Sequence, residues 1–209
     1  MTVLPALFDA ILPLAPGLTE RLETGIRALD CACGRGLALM AMAERFPASR
    51  FVGYDLSAEA IDWARSRAAE AGLSNLTFEV RDLSDFDVSA APEAFELVTT
   101  FDGIHDQAQP RRLLKGIRRS LTTDGVYLVQ DIHASSHHHQ DREHPLGAML
   151  YAVSLSHCMT VSLAQGGEGL GTMWGRERAL AYLEAAGFRD IRVHQLEHDI
   201  QNDYFVCRP

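Results

Sequence analysis

Positive charge is in short supply in this chain. Across 209 residues, 19 Lys and Arg face 28 Asp and Glu, a formal net charge of −9. A surface of that sign repels a phosphate backbone and argues against nucleic acid as a partner. The strongly basic stretch RRLLKGIRR, at 111–119, reads as the solvated face of a helix. Cysteine is scarce as well. There are 4, two of them one residue apart at Cys31 and Cys33, a spacing that suits thiols in a reducing compartment rather than a disulfide framework. No uninterrupted apolar run approaches the roughly 18 residues needed to cross a bilayer. The opening MTVLPALFDAILPLAPGL carries an acid and prolines where a signal peptide would carry a basic start. The expectation is a cytoplasmic protein with no membrane partner.

What is present is a core. With 47% hydrophobic residues the chain suits one domain, with no internal repeat. From residue 26 onward, short β-branched or aromatic runs alternate with longer helical patterns, the signature of a parallel sheet covered by helices. Strands are expected at IRALDC (26–31), RFVGYD (50–55), LTFEVRD (76–82), FELVTTF (95–101) and GVYLVQDI (125–132), with two more at FRDIRVHQLE and QNDYFVCRP. Helices fall between them. LALMAMAERF keeps an apolar face, and SAEAIDWARSRAAEAG opens on Ser57 as N-cap and closes on Gly72. Pro110 starts the next helix, and RERALAYLEAAG ends on Gly187. Residues 1–25 are expected to hold a helical segment packed on the core, limited by Pro5, Pro13 and Pro16. Residues 26–209 form the main domain, with a cap inserted after the fifth strand at about 134–172.

In an open α/β sheet, ligands bind outside the carboxyl ends of the strands, so the residues just past each strand carry the chemistry. Asp30 and the loop CACGRG follow strand one, Asp55 strand two, Asp82 strand three, FDGIHDQ strand four, and Asp131 with His133 strand five. The loop fails as a dinucleotide fingerprint, because Leu39 stands where G-x-G-x-x-G needs its third glycine, and no lysine follows as a phosphate loop requires. Asp30 at its mouth would repel pyrophosphate and attract an ammonium or sulfonium.

These residues resemble the motifs of the class I S-adenosylmethionine-dependent methyltransferases. LDCACGRG matches the family's first motif, an acid followed by alternating small residues, and assigns Asp30, Ala32, Gly34 and Gly36 to the cofactor. The resemblance implies that Asp55 holds the ribose hydroxyls with Leu56 beside the adenine. It also implies that Asp82 takes the adenine amino group while Leu83 offers a backbone amide, and it adds Phe101 to the cofactor-binding set. It covers residues 26 to about 132 strongly and implies a Rossmann-like seven-stranded sheet, mostly parallel, with helices on both faces and the last strand antiparallel. Ala32 departs from the family's usual glycine. A positive φ there would cost about 1 kcal/mol or more. TTFDGIHDQ and the later apolar and glycine-rich stretch resemble a bacterial subgroup that carries a winged-helix domain ahead of the catalytic one; 25 residues are too few for such a domain. Its contacts would have to come from a homodimer or a separate partner protein.

The function expected is methyl transfer from S-adenosyl-L-methionine to a small-molecule acceptor, with S-adenosyl-L-homocysteine as product. Two other classes stay open. One is a non-catalytic cofactor-binding interaction module, motivated by Ala32; the other is a nicotinamide-dependent oxidoreductase, against which the loop spacing argues. His105, flanked by Asp106, is the candidate general base, or else a helix cap or pocket-lining residue. His133 is a second candidate. His137, His138, His139 and His144, near Asp141 and Glu143, could suggest a metal, but their irregular polar setting favours a solvated loop, so no metal is expected. Cys158 and Cys207 read as small buried hydrophobes. Tyr151, Met159 and Trp174 are expected at the acceptor pocket, and glycines 166, 167, 169 and 171 suggest a movable lid.

Overall fold

The inner strands of the parallel run bury both faces, the edge strand Leu76–Val80 only one, and the alternation of side chains decides which core each residue joins. In β1 (Arg27–Cys31), Ala28 enters one core and Leu29 and Cys31 the other. In β5 (Leu121–Ile132), Val126 and Leu128 face one way, Tyr127 and Val129 the other. The structure, a computed structural model, describes residues 3–209. Its sheet has seven strands in the order β3-β2-β1-β4-β5-β7-β6, with β2 at Arg50–Asp55, β3 at Leu76–Val80, β4 at Phe95–Phe101, β6 at Asp190–Leu196 and β7 at Asp199–Arg208. The first five are parallel, and β7 runs antiparallel to both β5 and β6. The Rossmann-like architecture read from the sequence is therefore present. β5 starts earlier than expected, because Leu121 pairs with Phe95 across an irregularity directly after the preceding helix ends at Ser120.

Helices Leu37–Arg45 and Ala58–Glu70, together with the N-terminal segment Val3–Leu14 and helix Leu18–Thr24, cover one face. Helices Pro110–Ser120 and Arg176–Ala186 cover the other. The local signals act as read. The Ser57 side chain accepts from Ala60 N, Pro110 occupies the first turn of its helix, and Gly187 caps its helix in the left-handed region at φ +102°. Residues 1 and 2 of the expected N-terminal segment lie outside the described residues.

After β5 the chain leaves the sheet through a short 3-10 turn, Gln140–Glu143, and a continuous helical run, Gly147–Ala164, with a π-type stretch at Ser154–Cys158. This run reaches 18 residues and is apolar enough to cross a membrane by length and composition, contrary to the reading of the sequence. Ser, Thr and His interrupt its apolar residues, but no charge does. Met149, Leu155 and Leu163 stand more than half exposed on it.

Candidate active site

Strand order reverses between β1 and β4, which opens a crevice at their carboxyl ends. Two adjoining cavities lie there, of about 310 Å³ and about 300 Å³, sharing Ala32, Gly34 and Asp102. All nine residues assigned to the cofactor line one or the other. Asp55, Leu56, Asp82 and Leu83 line the first, Asp30, Gly36 and Phe101 the second, and Ala32 and Gly34 both.

The loop after β1 is held by backbone. Cys33 N donates to Tyr54 O at 3.0 Å, and Gly34 N donates to Asp55 Oδ2 at 2.8 Å. The other oxygen of Asp55 accepts Ser57 N at 2.8 Å, so the carboxylate is aimed by two amides and keeps lone pairs for a ligand. Asp82 is fixed the same way, its Oδ1 accepting Ser84 N at 2.8 Å. Gly34 has φ +55°, and a Cβ placed on it would meet nothing within 4 Å, so bare backbone borders the cavity. Ala32 does adopt a positive φ, +58°. Room for its methyl comes from Gly103, where an added Cβ would lie only 2.8 Å from that of Ala32.

Asp30 is buried and accepts a hydrogen bond from Thr99 Oγ1 at 2.8 Å. Burial pushes its carboxyl up to about 7; the Thr99 bond opposes this and the nearby Asp55 charge adds to it. The cysteines of the loop are inert. Burial and the Asp30 charge hold both the Cys31 and the Cys33 thiols well above their usual range.

Asp102, which sequence reasoning passed over, lines both cavities from a left-handed backbone at φ +57°. Its Oδ2 accepts Gln130 Nε2 at 2.9 Å, while Oδ1 is buried with no hydrogen-bond partner among the described residues. Burial, then the Asp131 charge, raises it to about 7, against the pull of His105 and Gln130. The Asp-Gly turn signal directly after β4 could have found it.

His105 is 3% exposed and sits one residue before Asp106, which lines the larger of the two cavities. Its Nδ1 meets Asp131 Oδ1 at 2.6 Å, and its Nε2 lies 3.5 Å from Asp106 Oδ1. Burial opposes charge on the ring, but Asp131, the Cys158 thiol and Asp106 together outweigh it and hold the imidazole well above its usual basicity. The same Asp131 oxygen accepts Ile132 N at 2.8 Å and Trp174 Nε1 at 3.1 Å.

Trp174 is therefore buried behind this pair. Neither it nor Tyr151 nor Met159 lines either cavity. The Tyr151 hydroxyl donates to Asp141 Oδ2 at 2.9 Å, and Met159 packs toward Gly171. From the cap, Val161 and Gln165 reach the cavity instead. The glycine-rich loop is tied down, with Glu168 N donating to Ala108 O and Gly171 N to His105 O.

A larger depression of about 700 Å³ lies apart from this crevice, between the His-rich segment and the β6–β7 end. His133 lines it, with Nδ1 3.0 Å from Asp203 Oδ1 and 3.2 Å from Arg176 Nη2, which separates it from the cofactor loop. His137, His138 and His139 pack ring to ring. Among the described residues they join no group with metal-ligand spacing; the one such group is His105, Asp106 and Cys158.

Residues 22–187 match the family model of the methyltransferase domain. The chain belongs to the class I S-adenosylmethionine-dependent methyltransferases. Its relatives include a ubiquinone biosynthesis O-methyltransferase of Actinobacillus pleuropneumoniae, 27% identical over 52% of this chain and 46% of the relative. Another is the 2-heptyl-1-hydroxyquinolin-4(1H)-one methyltransferase of Mycobacteroides abscessus, 43% identical over 28% of this chain and 25% of its own length. The chain thus spans half or less of the curated relatives it matches. Human N-acetylserotonin methyltransferase, solved with S-adenosylmethionine, superposes with a TM-score of 0.65 at 20% identity, over 95% of this chain and 50% of that one, a likeness of fold.

The methyltransferase cofactor, S-adenosyl-L-methionine, suits these cavities. The exposed Gly34 backbone leaves space for it, and Asp30, Asp55, Asp82 and Asp102 supply acids for a ligand that carries ammonium and sulfonium charge.

Proposed function

We propose that this methyltransferase acts on a hydroxyl group of a small aromatic acceptor, with the His105–Asp131 pair as proton acceptor. The observation that carries this reading is the 2.6 Å His105–Asp131 contact, buried directly behind Asp106, which lines the cavity that also holds residues assigned to the cofactor. The printed names of two relatives, an O-methyltransferase and a hydroxyquinolone methyltransferase, support oxygen as the receiving atom.

When bound, S-adenosylmethionine supplies an electrophilic methyl on a sulfonium. The protein's part would be to align the acceptor oxygen with that methyl and to exclude water. Asp131 orients the ring through Nδ1, and Nε2 lies 3.5 Å from Asp106 Oδ1, the carboxylate that borders the cavity and stands between the ring and the acceptor. The raised basicity keeps the ring charged over a wider pH range, which makes it a counter-ion for the oxyanion; the neutral ring is the form that takes the acceptor's proton. With Leu56 and Leu83 assigned to the adenine, Val161 from the cap gives the cavity apolar surface for the acceptor ring.

The test is incubation of the full chain and S-adenosylmethionine with phenols and hydroxyquinolones beside matched amines and thiols, with mass spectrometry of the products. Methylated hydroxyl compounds together with S-adenosylhomocysteine are expected. Methylation confined to amines or thiols, or cofactor binding with no turnover on any hydroxyl compound, would overturn the reading.

A further inference from the structure

His105 has a second feature besides its place near the cavity. Its Nε2, a carboxylate oxygen of Asp106 and the thiol of Cys158 all lie within 4.8 Å of one another. Two of the three come from the loop after β4, and the third comes from the cap helix. His105 and Cys158 are 3% and 4% exposed, so the donors converge in a buried place. Asp106 Oδ1 is itself buried, has no hydrogen-bond partner among the described residues, and lies 3.5 Å from His105 Nε2, beyond hydrogen-bond length, which leaves an acceptor oxygen turned toward the ring and unfilled.

The donor set is chemically selective. One imidazole nitrogen, one thiol sulfur and one carboxylate oxygen suit a tetrahedral, borderline-soft ion of the zinc class, whereas magnesium and calcium take oxygen shells. The other ring nitrogen is already anchored to Asp131 at 2.6 Å, the carboxylate–histidine arrangement that orients an imidazole ligand and raises its donor strength. Three protein donors leave a fourth position free for water or a ligand, and Asp106 also lines the 310 Å³ cavity, so the site borders the acceptor space.

We propose that His105, Asp106 and Cys158 form a zinc-binding site whose occupation switches methyl transfer off. Binding releases to solvent the thiol proton of Cys158 and, from the charged ring, the Nε2 proton of His105, and ties up the Nε2 lone pair. That lone pair is the one the acceptor's proton requires, so base and ligand compete for the same ring. The inhibition rests on the proposed role of His105 in methyl transfer; the binding does not.

The experiment therefore has two separate readouts on the full chain. Cobalt(II) serves as the optical probe and zinc as the calorimetric one. One equivalent of zinc is expected, together with a near-ultraviolet thiolate-to-cobalt band and strong tetrahedral visible absorption. Cys158→Ser and Cys158→Ala should both lose these features while retaining methyl transfer, and replacement of His137, His138 and His139 by alanine should preserve them. Zinc should lower wild-type turnover at least tenfold, reversibly with a chelator, and leave Cys158→Ser active. Absence of stoichiometric binding overturns the site. So does binding that survives both Cys158 variants and vanishes in the triple histidine variant. Stoichiometric, Cys158-dependent binding with undiminished turnover overturns the switch. If no acceptor is ever methylated, the cobalt spectrum still decides the site.

Discussion

On the β1–β3 side of the crevice, Asp55 and Asp82 are held by backbone amides near strand ends, while Asp30 takes a side-chain bond from Thr99. Gly34 N and Ser57 N fix Asp55, and Ser84 N fixes Asp82. On the cap side each contact is made by a side chain that reaches a distant part of the chain. His105 reaches Asp131 across 26 residues, Trp174 reaches the same carboxylate across 43, and Ser162 Oγ donates to Gln107 O across 55. The first side joins the ends of neighbouring strands and depends on the sheet, not on the cap. The second exists only when cap, loop and β5 are assembled, so its members fail together.

The sharpest way to break that contrast is Asp131→Asn. The substitution leaves the strand-end loops untouched and removes the charge that His105 Nδ1 faces. Turnover should fall on the order of 10²–10⁴-fold, the range of general acid–base catalysis, with cofactor affinity unchanged by calorimetry. Equal losses in both would mean that the two sides are not separable. The reciprocal change is Asp55→Ala. It strands the Gly34 and Ser57 amides and removes the charged acceptor for the ribose hydroxyls, so cofactor affinity should drop by about 2 kcal/mol or more. Unchanged affinity would count against the ribose role.

A smaller effect separates the acids within the cofactor side. The Asp30 carboxyl is raised from 3.8 to about 7 by burial, so the folded chain holds a proton there that the unfolded chain has released. Between those values the contribution of this group to stability falls as pH rises. A cationic ligand beside Asp30 favours its ionised form, and the proton must leave for it to bind well. Affinity for S-adenosylmethionine should therefore weaken about tenfold from pH 8 to pH 6, with proton release seen in buffers of different ionisation enthalpy. Asp30→Asn should flatten the profile; a flat profile in the unmodified chain would remove Asp30 from the ammonium or sulfonium contact.

The same contrast explains what could be read in the sequence. Asp30, Gly34, Asp55 and Asp82 were legible because each follows a hydrophobic run at a strand end, and strand ends are where an α/β sheet binds ligands. Hydrophobic periodicity gave the sheet. Trp174 and Tyr151 were placed at the acceptor cavity because they follow β5, yet chain order does not say which side chains of a cap turn inward; Val161 and Gln165 do. Cys158 looked like a small hydrophobe, and by burial it is one. Its neighbour His105 is 53 positions away, and no periodicity links them. Asp102 was hidden for another reason. Its importance lies in a positive φ and an unpaired oxygen, which are properties of conformation.

The finest test concerns Ala32, where the loop departs from the family's glycine. Its φ of +58° costs an alanine about 1 kcal/mol or more, and Gly103 opposite leaves space for the methyl. These two positions amount to one exchange of a methyl group across the crevice. Gly103→Ala should cost about 1–3 kcal/mol of unfolding stability, because two Cβ atoms at 2.8 Å cannot coexist without backbone movement. Ala32→Gly in that background should restore much of the loss, while Ala32→Gly alone should shift stability by under about 1 kcal/mol, since relief of strain is offset by the entropy of a freer unfolded chain. A double-mutant cycle in denaturant measures the coupling. Additive effects would mean that Gly103 does not make room for Ala32. Coupling of about 1 kcal/mol or more would make Ala32 a compensated residue, and the loop would then hold its shape with an alanine as well as with a glycine.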